Sequence, residues 1–465
     1  MQHPIQSPGT PPLTALKDHS RGTISVIIAT SFFSFVFILS LSFSTSPAPV
    51  QPQPDPFLFP PRPTFPNKIP SDPSPPSIAY LISGSSGDSG RILRLLFATY
   101  HPKNHYLLHL DSSAPQSDRD RLAVSVQSVP VFRAAQNVDV IGRADFSYPK
   151  GSSPISSTLH GASILLKLSK NWDWFINLNA ADYPLVTQDD LLHILSYLPK
   201  DLNFLNHTSY IGWRESKKLK PIIVDPGLYL SEKNPMFYTS QKRELPSAFR
   251  LFTGNIYEAN VQYLGEEDCR ECDFEAYAVV AYILRVGSAA MLFACSTFFI
   301  LSRNFIEFCI LGVDNLPRTL MMYFSNTLSS LSNYFPTILC NSRQFNKTVV
   351  NHNLQYVAFD KPSKENRFPL NSTEFHVMIR SGAAFATQFQ FDDPVLDRID
   401  REILNRSPGE VVPGGWCLGD PRNSTCSVWG NADFLRPGSG SSRLEKHLVD
   451  LLSSGKFRTG QCIVE

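Results

Sequence analysis

The chain lacks an excess of charge of either sign, because 42 lysines and arginines stand against 41 aspartates and glutamates, for a net charge of +1. A protein that neutralises phosphate backbones or an acidic membrane face carries a basic surplus. We therefore expect no nucleic-acid partner. Hydrophobic residues make up 42% of the chain, as in ordinary globular proteins, and residues 78–465 are enough to bury a substantial core.

Residues 23–43 lack any charged side chain. Roughly 20 apolar residues cross the hydrocarbon core of a bilayer, and signal peptides have shorter apolar cores. Lys17 and Arg21 precede the run, whereas no basic residue follows it until Arg62. The positive-inside rule then predicts a single-pass type II membrane protein with a cytosolic tail at 1–22. The alternative, a signal peptide cleaved near residues 46–48, leads to the same secretory lumen.

Residues 44–77 contain thirteen prolines between positions 47 and 76. Proline does not join helix interiors or central strands, and it favours extended polyproline II. We predict a semi-rigid stem that holds the folded domain, residues 78–465, away from the membrane.

Eight cysteines in an oxidising lumen predict disulfides, although the sequence does not reveal how they pair. Cys269 and Cys272 form a CxxC motif, but no second CxxC or nearby histidine cluster completes a zinc site, so no metal is expected there. The chain also offers five N-x-Ser/Thr glycosylation sequons, which suit a lumenal domain: Asn206, Asn346, Asn371, Asn405 and Asn423.

From residue 78 onward, short apolar runs alternate with segments of helical periodicity. The predicted strands are 78–82, 106–111, 138–141 and 174–178, and the predicted helices are 91–100, 118–126 and 156–169. Such alternation indicates an α/β domain with a mostly parallel sheet and helices on both faces.

In such sheets ligands bind beyond the carboxyl ends of the strands. Gly84, Gly87 and Gly90 follow the first strand, but their G-x-x-G-x-x-G spacing is not the dinucleotide fingerprint and also suits a plain turn. Asp111 ends the second strand and Asp182 follows the fourth. The two carboxylates are candidates to hold a sugar or a uracil edge, and helix capping accounts equally well for either one.

Several segments in order resemble the core-2/I-branching glycosyltransferases, most of all the plant branch of β-glucuronosyltransferases that act on arabinogalactan proteins. The resemblance covers residues 78–254 and 296–462. Its motifs are His109-Leu110-Asp111, Trp172-Asp173-Trp174, Asp182-Tyr183-Pro184-Leu185, Asp225-Pro226-Gly227, Asp314-Asn315-Leu316-Pro317-Arg318 and Pro413-Gly414-Gly415-Trp416-Cys417.

The resemblance implies a Rossmann-like domain of the GT-A type in a Golgi enzyme. It would transfer a sugar with inversion from a UDP-sugar donor to a glycan or glycoprotein acceptor, without a cofactor or metal. The only D-x-D sequence, Asp118-Arg119-Asp120, falls at a predicted helix start and is interpreted as helix-terminal charge. The implied donor-binding positions are Ser83, Gly84, Asp111, Asp182 and Gln388. The implied acceptor-binding residues are Trp213, Arg214 and Glu215.

The chain departs from this family at the places where chemistry is expected. Ser332 occupies the position of the glutamate base, and Gln388 that of a lysine which binds the diphosphate. Gln355 replaces an arginine or histidine. An atypical insertion, 255–295, interrupts the domain and is interpreted as a gene-model artefact, with a functional lid as the alternative. Two hypotheses therefore stand: an active glucuronosyltransferase, or an inactive paralogue that binds a glycan or a partner enzyme.

Overall fold

The computed structural model describes residues 74–208, 219–229, 236–253, 297–358, 369–419 and 426–462. The predicted cytosolic tail, the membrane segment 23–43, most of the stem and the insertion 255–295 lie outside these residues. In the described part of the chain, no helix has the length and apolar character that crossing a bilayer requires.

The described elements alternate along the chain. The strands are β1 (Ile78–Gly84), β2 (His105–Leu110), β3 (Val138–Val140), β4 (Trp174–Asn179), β5 (Tyr183–Pro184), β6 (Asn203–Phe204), β7 (Pro221–Val224), β8 (Phe237–Lys242), β9 (Ile300–Ser302), β10 (Val349–Val350), β11 (Gln355–Val357) and β12 (Phe385–Thr387). The helices are α1 (Ser89–Thr99), α2 (Gln116–Ser128), α3 (Pro130–Ala135), α4 (Ser153–Leu168), α5 (Gln188–Ser196), α6 (Arg303–Ile310), α7 (Leu316–Phe324), α8 (Leu331–Asn341), α9 (Phe375–Arg380), α10 (Pro394–Glu402), α11 (Ser439–Leu452) and α12 (Ser454–Thr459).

Seven strands form the central sheet in the order β10-β6-β9-β4-β1-β2-β3. The strands β3, β2, β1 and β4 are parallel, as the alternation of strands and helices predicts. The sheet as a whole is mixed, because β9 lies between β4 and β6 and runs antiparallel to both. Because β6 and β10 pair in parallel and run in the same direction as β4, β9 is the one antiparallel strand among the described strands of this sheet, and the prediction of a mostly parallel sheet is confirmed.

Helices cover both faces of β1, so this strand is buried on its two sides. Tyr80 and Ile82 belong to one apolar cluster with Leu95 of α1. Leu81 points the other way and belongs to a second cluster with Leu165 of α4. Burying a large apolar side chain contributes roughly 1.5–3 kcal/mol, which explains why a continuous apolar strand is stable at the centre of the sheet.

The C-terminal part of the chain returns to the end of β4. A small sheet in the order β11-β12-β5 places Phe385 between Gln355 and Pro184. The backbone amides of Gly415 and Arg436 both donate to the carboxylate of Asp189 in α5, each at 2.6 Å. The glycine-rich motif 413–417 is thereby anchored to the N-terminal half of the domain.

The prediction of disulfides is confirmed for four cysteines. Cys340 in α8 is bonded to Cys462 near the C-terminus, and Cys417 is bonded to Cys426. Among the described residues, Cys309 is a free thiol. The CxxC cysteines lie outside the described residues.

Three histidines, one buried and two half-buried, predict that acid destabilises the domain. Burial lowers the pKa of His105, His207 and His352 to about 4, and the positive charge of Arg303 adds to the effect at His105. The unfolded chain therefore binds more protons than the folded chain between pH 6.5 and 4, so stability is full above 6.5 and falls as the pH falls through this window. Each imidazole contributes up to about 1.4 kcal/mol per pH unit.

Urea unfolding measured between pH 7 and pH 4 tests this expectation. His105→Gln should reduce the pH slope, because glutamine does not titrate. The exposed His376→Gln variant is the matched control. An unchanged slope in the His105 variant contradicts the prediction.

Candidate active site

The predicted donor-binding positions meet at one rim of the central sheet. Strand order reverses between β1 and β4, which is where ligands bind in doubly wound folds. The backbone amide of Asp111 donates to the carbonyl of Gly84 at 2.9 Å, and that of Ala180 donates to Ser83 at 2.8 Å. The carboxyl ends of β2, β1 and β4 are thereby held side by side, and Asp182 follows directly.

Gly84 permits a close packing at this rim. A Cβ atom at position 84 would lie 2.8 Å from the Cβ of Asp88 and 3.2 Å from that of Ala180. Any side chain there would push the start of α1 away from the end of β4. Asp88 orders the intervening turn, since its Oδ2 accepts hydrogen bonds from the backbone amide and hydroxyl of Ser85.

Asp111 is buried at the rim and binds backbone. Its Oδ1 accepts from the amide of Ser113 at 2.7 Å, and its Oδ2 accepts from the amide of Ser147 at 2.6 Å. The carboxylate therefore attaches the loop 145–151 to the end of β2. Each oxygen keeps a further lone pair, so the predicted contact with the nucleotide stays a prediction.

Asp182 lies close to Gln355 and Gln388, the two positions at which relatives carry basic side chains. Its Oδ2 accepts from the backbone amide of Asn179 at 2.8 Å, and its Oδ1 accepts from Nε2 of Gln355 at 3.2 Å. Gln388 follows β12 and is half-buried, and the next residue, Phe389, donates its amide to the carbonyl of Ala181 at 3.0 Å. Both glutamines thus lie beside the β4–β5 turn, and neither carries a charge.

A cleft of about 230 Å³ opens next to this turn. The first turn of α1 lines it with Gly90 and Arg91, the β4–β5 turn with Ala180 and Asp182, and the segment after Gln388 with residues 389–392. Drug-sized ligand pockets occupy roughly 300–1,000 Å³. The cleft lies below this range, so it would hold only part of a UDP-sugar.

A largely buried charge network adjoins the cleft through Arg94 and Tyr183, which both line it. The hydroxyl of Tyr183 donates to Oδ1 of Asp400 at 2.6 Å, and Arg94 donates to Oδ2 of Asp400 at 2.7 Å. Arg406 donates to both carboxylate oxygens of Asp400, at 2.7 and 2.9 Å. Burial raises the pKa of Tyr183 to about 12, so this hydroxyl stays protonated and keeps its role as a donor.

Sequence reasoning missed this network. Of the four residues in this network, only Tyr183 lies in one of the motifs that carry the family resemblance. Asp400 is 217 positions from Tyr183 and 306 from Arg94. No spacing rule connects residues so far apart.

Ser332 is the second residue of α8, and its side chain is buried. Its hydroxyl donates to the carbonyl of Ser329 at 2.8 Å. Ser329 in turn donates its amide to Lys150, in the same loop that Asp111 binds. Ser332, at the position of the family's base, is therefore connected to the rim by hydrogen bonds that run through Ser329 and the loop 145–151. In this conformation the Ser332 hydroxyl points back along its own helix.

The Asp225-Pro226-Gly227 motif has a structural role in the described chain. Oδ2 of Asp225 accepts from the amides of Ser152 and Ser153, both at 2.7 Å, and Oδ1 accepts from Gly227 at 2.9 Å. The carboxylate thus caps the first turn of α4, where free amides favour negative charge. A Cβ at Gly151 would overlap this carboxylate.

The remaining predicted sites divide between described and undescribed residues. Trp213, Arg214 and Glu215 lie outside the described residues, as does Asn423. Of the other glycosylation positions, Asn405 is exposed, whereas Asn206, Asn346 and Asn371 are half-buried. Asp118 lies in the first turn of α2, as its interpretation as helix-terminal charge requires.

One cluster in the described part of the chain brings together atoms of the kind that ligate metals, namely His207 with Cys340 and Cys462. The two sulfurs are joined in a disulfide. A thiolate is the form that binds metal, so these sulfurs are not ligands in this state.

Fold and rim together define an α/β protein with a cleft beside the carboxyl ends of its parallel strands. The sequence model of the core-2/I-branching enzymes matches residues 78–259 and 278–378, leaving 260–277 unmatched inside the predicted insertion. The chain belongs to the core-2/I-branching family of glycosyltransferases, which confirms the resemblance.

Several named members of this family are similar to the chain over much of its length. It is 45% identical over 399 residues to the β-glucuronosyltransferase GlcAT14A of Arabidopsis thaliana, covering 85% of this chain and 80% of that protein. It is 42% identical over 387 residues to GlcAT14C of the same plant, covering 83% and 85%. Xylosyltransferase 1 of Rattus norvegicus is 26% identical over 290 residues, which are 62% of this chain and 29% of that protein.

Proposed function

We propose that this protein transfers glucuronic acid from UDP-glucuronate to β-galactan side chains of arabinogalactan proteins. The observation that carries the proposal is the identity of 42–45%, over more than four fifths of the chain, with relatives named β-glucuronosyltransferases. The rim cleft supports it, because a sugar nucleotide would bind where β1 and β4 end. The acceptor class comes from the resemblance of the sequence.

Transfer with inversion requires two groups. A general base must take the proton of the acceptor hydroxyl, and positive charge must stabilise the departing diphosphate. Serine at position 332 is a poor base at neutral pH, so a neighbouring group or a loop movement has to assist it. The proposed reaction uses no metal, and Asp111 and Asp182 are proposed to orient the nucleotide and the sugar.

The proposed location is the Golgi membrane, with the folded domain in the lumen. The support is the uncharged segment 23–43, the basic residues before it and the proline-rich stem after it. The two disulfides fit an oxidising compartment. A protease-protection assay on intact microsomes tests this topology, since a lumenal domain survives until detergent is added.

A second candidate function is an inactive paralogue that binds a glycan or a partner enzyme. The buried hydroxyl of Ser332, bonded to Ser329, favours it, because this group neither reaches the cleft nor accepts a proton at neutral pH. The uncharged Gln388 favours it as well.

The deciding experiment measures sugar transfer from labelled UDP-glucuronate to a β-galactan oligosaccharide by the full chain in detergent, with EDTA present. Transfer in EDTA supports a metal-independent glucuronosyltransferase. A folded protein that binds the galactan without turnover supports the inactive paralogue. UDP-xylose and UDP-N-acetylglucosamine as alternative donors test the sugar assignment.

A further inference from the structure

We propose that Arg91 binds the diphosphate of the donor and supplies the positive charge that Gln388 and Gln355 do not provide. This inference rests on the proposed function only in taking a UDP-sugar as the ligand, and it identifies the residue of that site which contacts the leaving group.

The cleft contains charges of both signs among the residues that line it. Arg91 and Arg94 are positive, whereas Asp182 and Asp392 are negative. A diphosphate entering this space meets repulsion from the carboxylates unless a cation faces it. Among the described residues that line the cleft, the two arginines are the cations that could supply this charge.

Arg94 is already neutralised. Its Nη2 lies 2.7 Å from Asp397 and 2.7 Å from Asp400, and its Nε donates to Tyr183 at 3.3 Å. Two carboxylates thus surround one guanidinium. Arg94 lines the cleft, but its charge is engaged by these carboxylates and is less available to a ligand.

Arg91 is differently placed. Its Nη2 donates to the carbonyl of Phe389 at 2.8 Å, and its Nη1 lies 3.3 Å from Asp88. Asp88 is itself engaged through its other oxygen by Ser85. A guanidinium has five N–H donors, so most of those of Arg91 remain for a ligand. Its side chain is 23% exposed, nearly the same as the 24% of Arg94, so the two arginines differ in their partners and not in their exposure.

The bond to Phe389 also fixes where this charge lies. Phe389 directly follows Gln388, so the guanidinium is held one residue from the position where relatives carry lysine. Planar guanidinium groups bind phosphate oxygens in pairs, and such charge-assisted bonds are the strong ones. Arg91 therefore presents from α1 a charge beside the segment that follows β12 and lines the cleft.

Titration calorimetry of the full chain with UDP tests the proposal. Arg91→Gln is expected to weaken UDP binding by roughly 10- to 100-fold, as for loss of a hydrogen bond to a charged group. Adding Gln388→Lys to that variant is expected to restore at least tenfold, because it places a positive charge on the residue next to Phe389, whose carbonyl Arg91 contacts. Arg121→Gln removes an exposed arginine from α2 and should stay within twofold of wild type.

The outcomes separate the possibilities. UDP affinity of folded Arg91→Gln within twofold of wild type overturns the proposal, as does a loss that Gln388→Lys fails to restore. A loss confined to UDP-glucuronate, with UDP unaffected, assigns Arg91 to the sugar carboxylate and also overturns it. If Arg91→Gln does not fold, the Gln388→Glu variant replaces it in the test. A negative charge beside Arg91 should lower UDP affinity at least tenfold.

The proposed transferase activity fails separately from this inference. A protein that binds UDP through Arg91 but transfers no sugar supports the inference and refutes the activity. If the Arg91→Gln variant transfers glucuronic acid as fast as the wild-type chain, the inference is refuted and the activity is supported. No measurable UDP binding by the wild-type chain overturns both.

Discussion

The double variant Ser332→Glu with Gln388→Lys is expected to transfer glucuronic acid roughly 100- to 10,000-fold faster than the wild-type chain, which is the range that a positioned general base contributes. Glutamate supplies a carboxylate where serine offers only a hydroxyl. Position 332 is the second residue of α8, where the helix dipole favours negative charge. Lysine at 388 adds a cation beside the cleft, where the leaving diphosphate is proposed to lie.

The measurement is kcat at saturating UDP-glucuronate with a β-galactan oligosaccharide. Ser332→Gln with Gln388→Lys is the matched control, because glutamine has the shape of glutamate without its basicity. A gain in the glutamate variant alone assigns the effect to the base. Equal rates in the glutamate and glutamine variants, with UDP affinity intact, contradict the assignment of position 332.

The Asp400→Ala variant is expected to lose roughly 3–5 kcal/mol of unfolding free energy, the range for breaking a buried ion pair by removing one partner. Asp400 accepts bonds from Arg94, Arg406 and Tyr183. The side chain of Arg406 is only 2% exposed, so its charge would be left without a carboxylate in the core. Arg94 and Tyr183, which line the cleft, should lose their shared partner at the same time.

Asp397→Ala is the internal control for this effect. Asp397 pairs with the same Arg94 at the same 2.7 Å, but its side chain is 69% exposed. Exposed pairs contribute about 0–1 kcal/mol, because solvent screens them. Urea unfolding of both variants distinguishes the two environments. Similar losses in the two variants argue that burial does not set the strength of this network.

Periodicity predicts the first half of the central sheet well, since β1, β2 and β4 are buried on both faces and their apolar runs are long. It does not predict β5, β6 or β10, which have two residues each. So short a strand has no period of its own, and its pairing depends on chain that is distant in sequence. The antiparallel β9 escapes prediction for the same reason.

The candidate site divides in a similar way. Asp111 and Asp182 could be placed on one rim from the sequence, because carboxyl ends of parallel strands meet at one edge. The contact of Arg91 with Phe389 spans 298 positions and depends on how α1 packs against the C-terminal strands. Asp225 is visible in the sequence as part of a motif, but its role as a cap for α4 becomes clear only when Ser152 is placed beside it.

The disulfide between Cys340 and Cys462 has a practical consequence for handling the protein. It closes a loop of chain with a sequence separation of 122, and Gln355, Gln388 and Asp400 all lie within that loop. A single protease cut inside the loop yields two fragments that stay covalently joined. Such a nicked molecule runs as one band on a non-reducing gel and separates into two only after a thiol reductant is added, so purity should be judged on reducing gels.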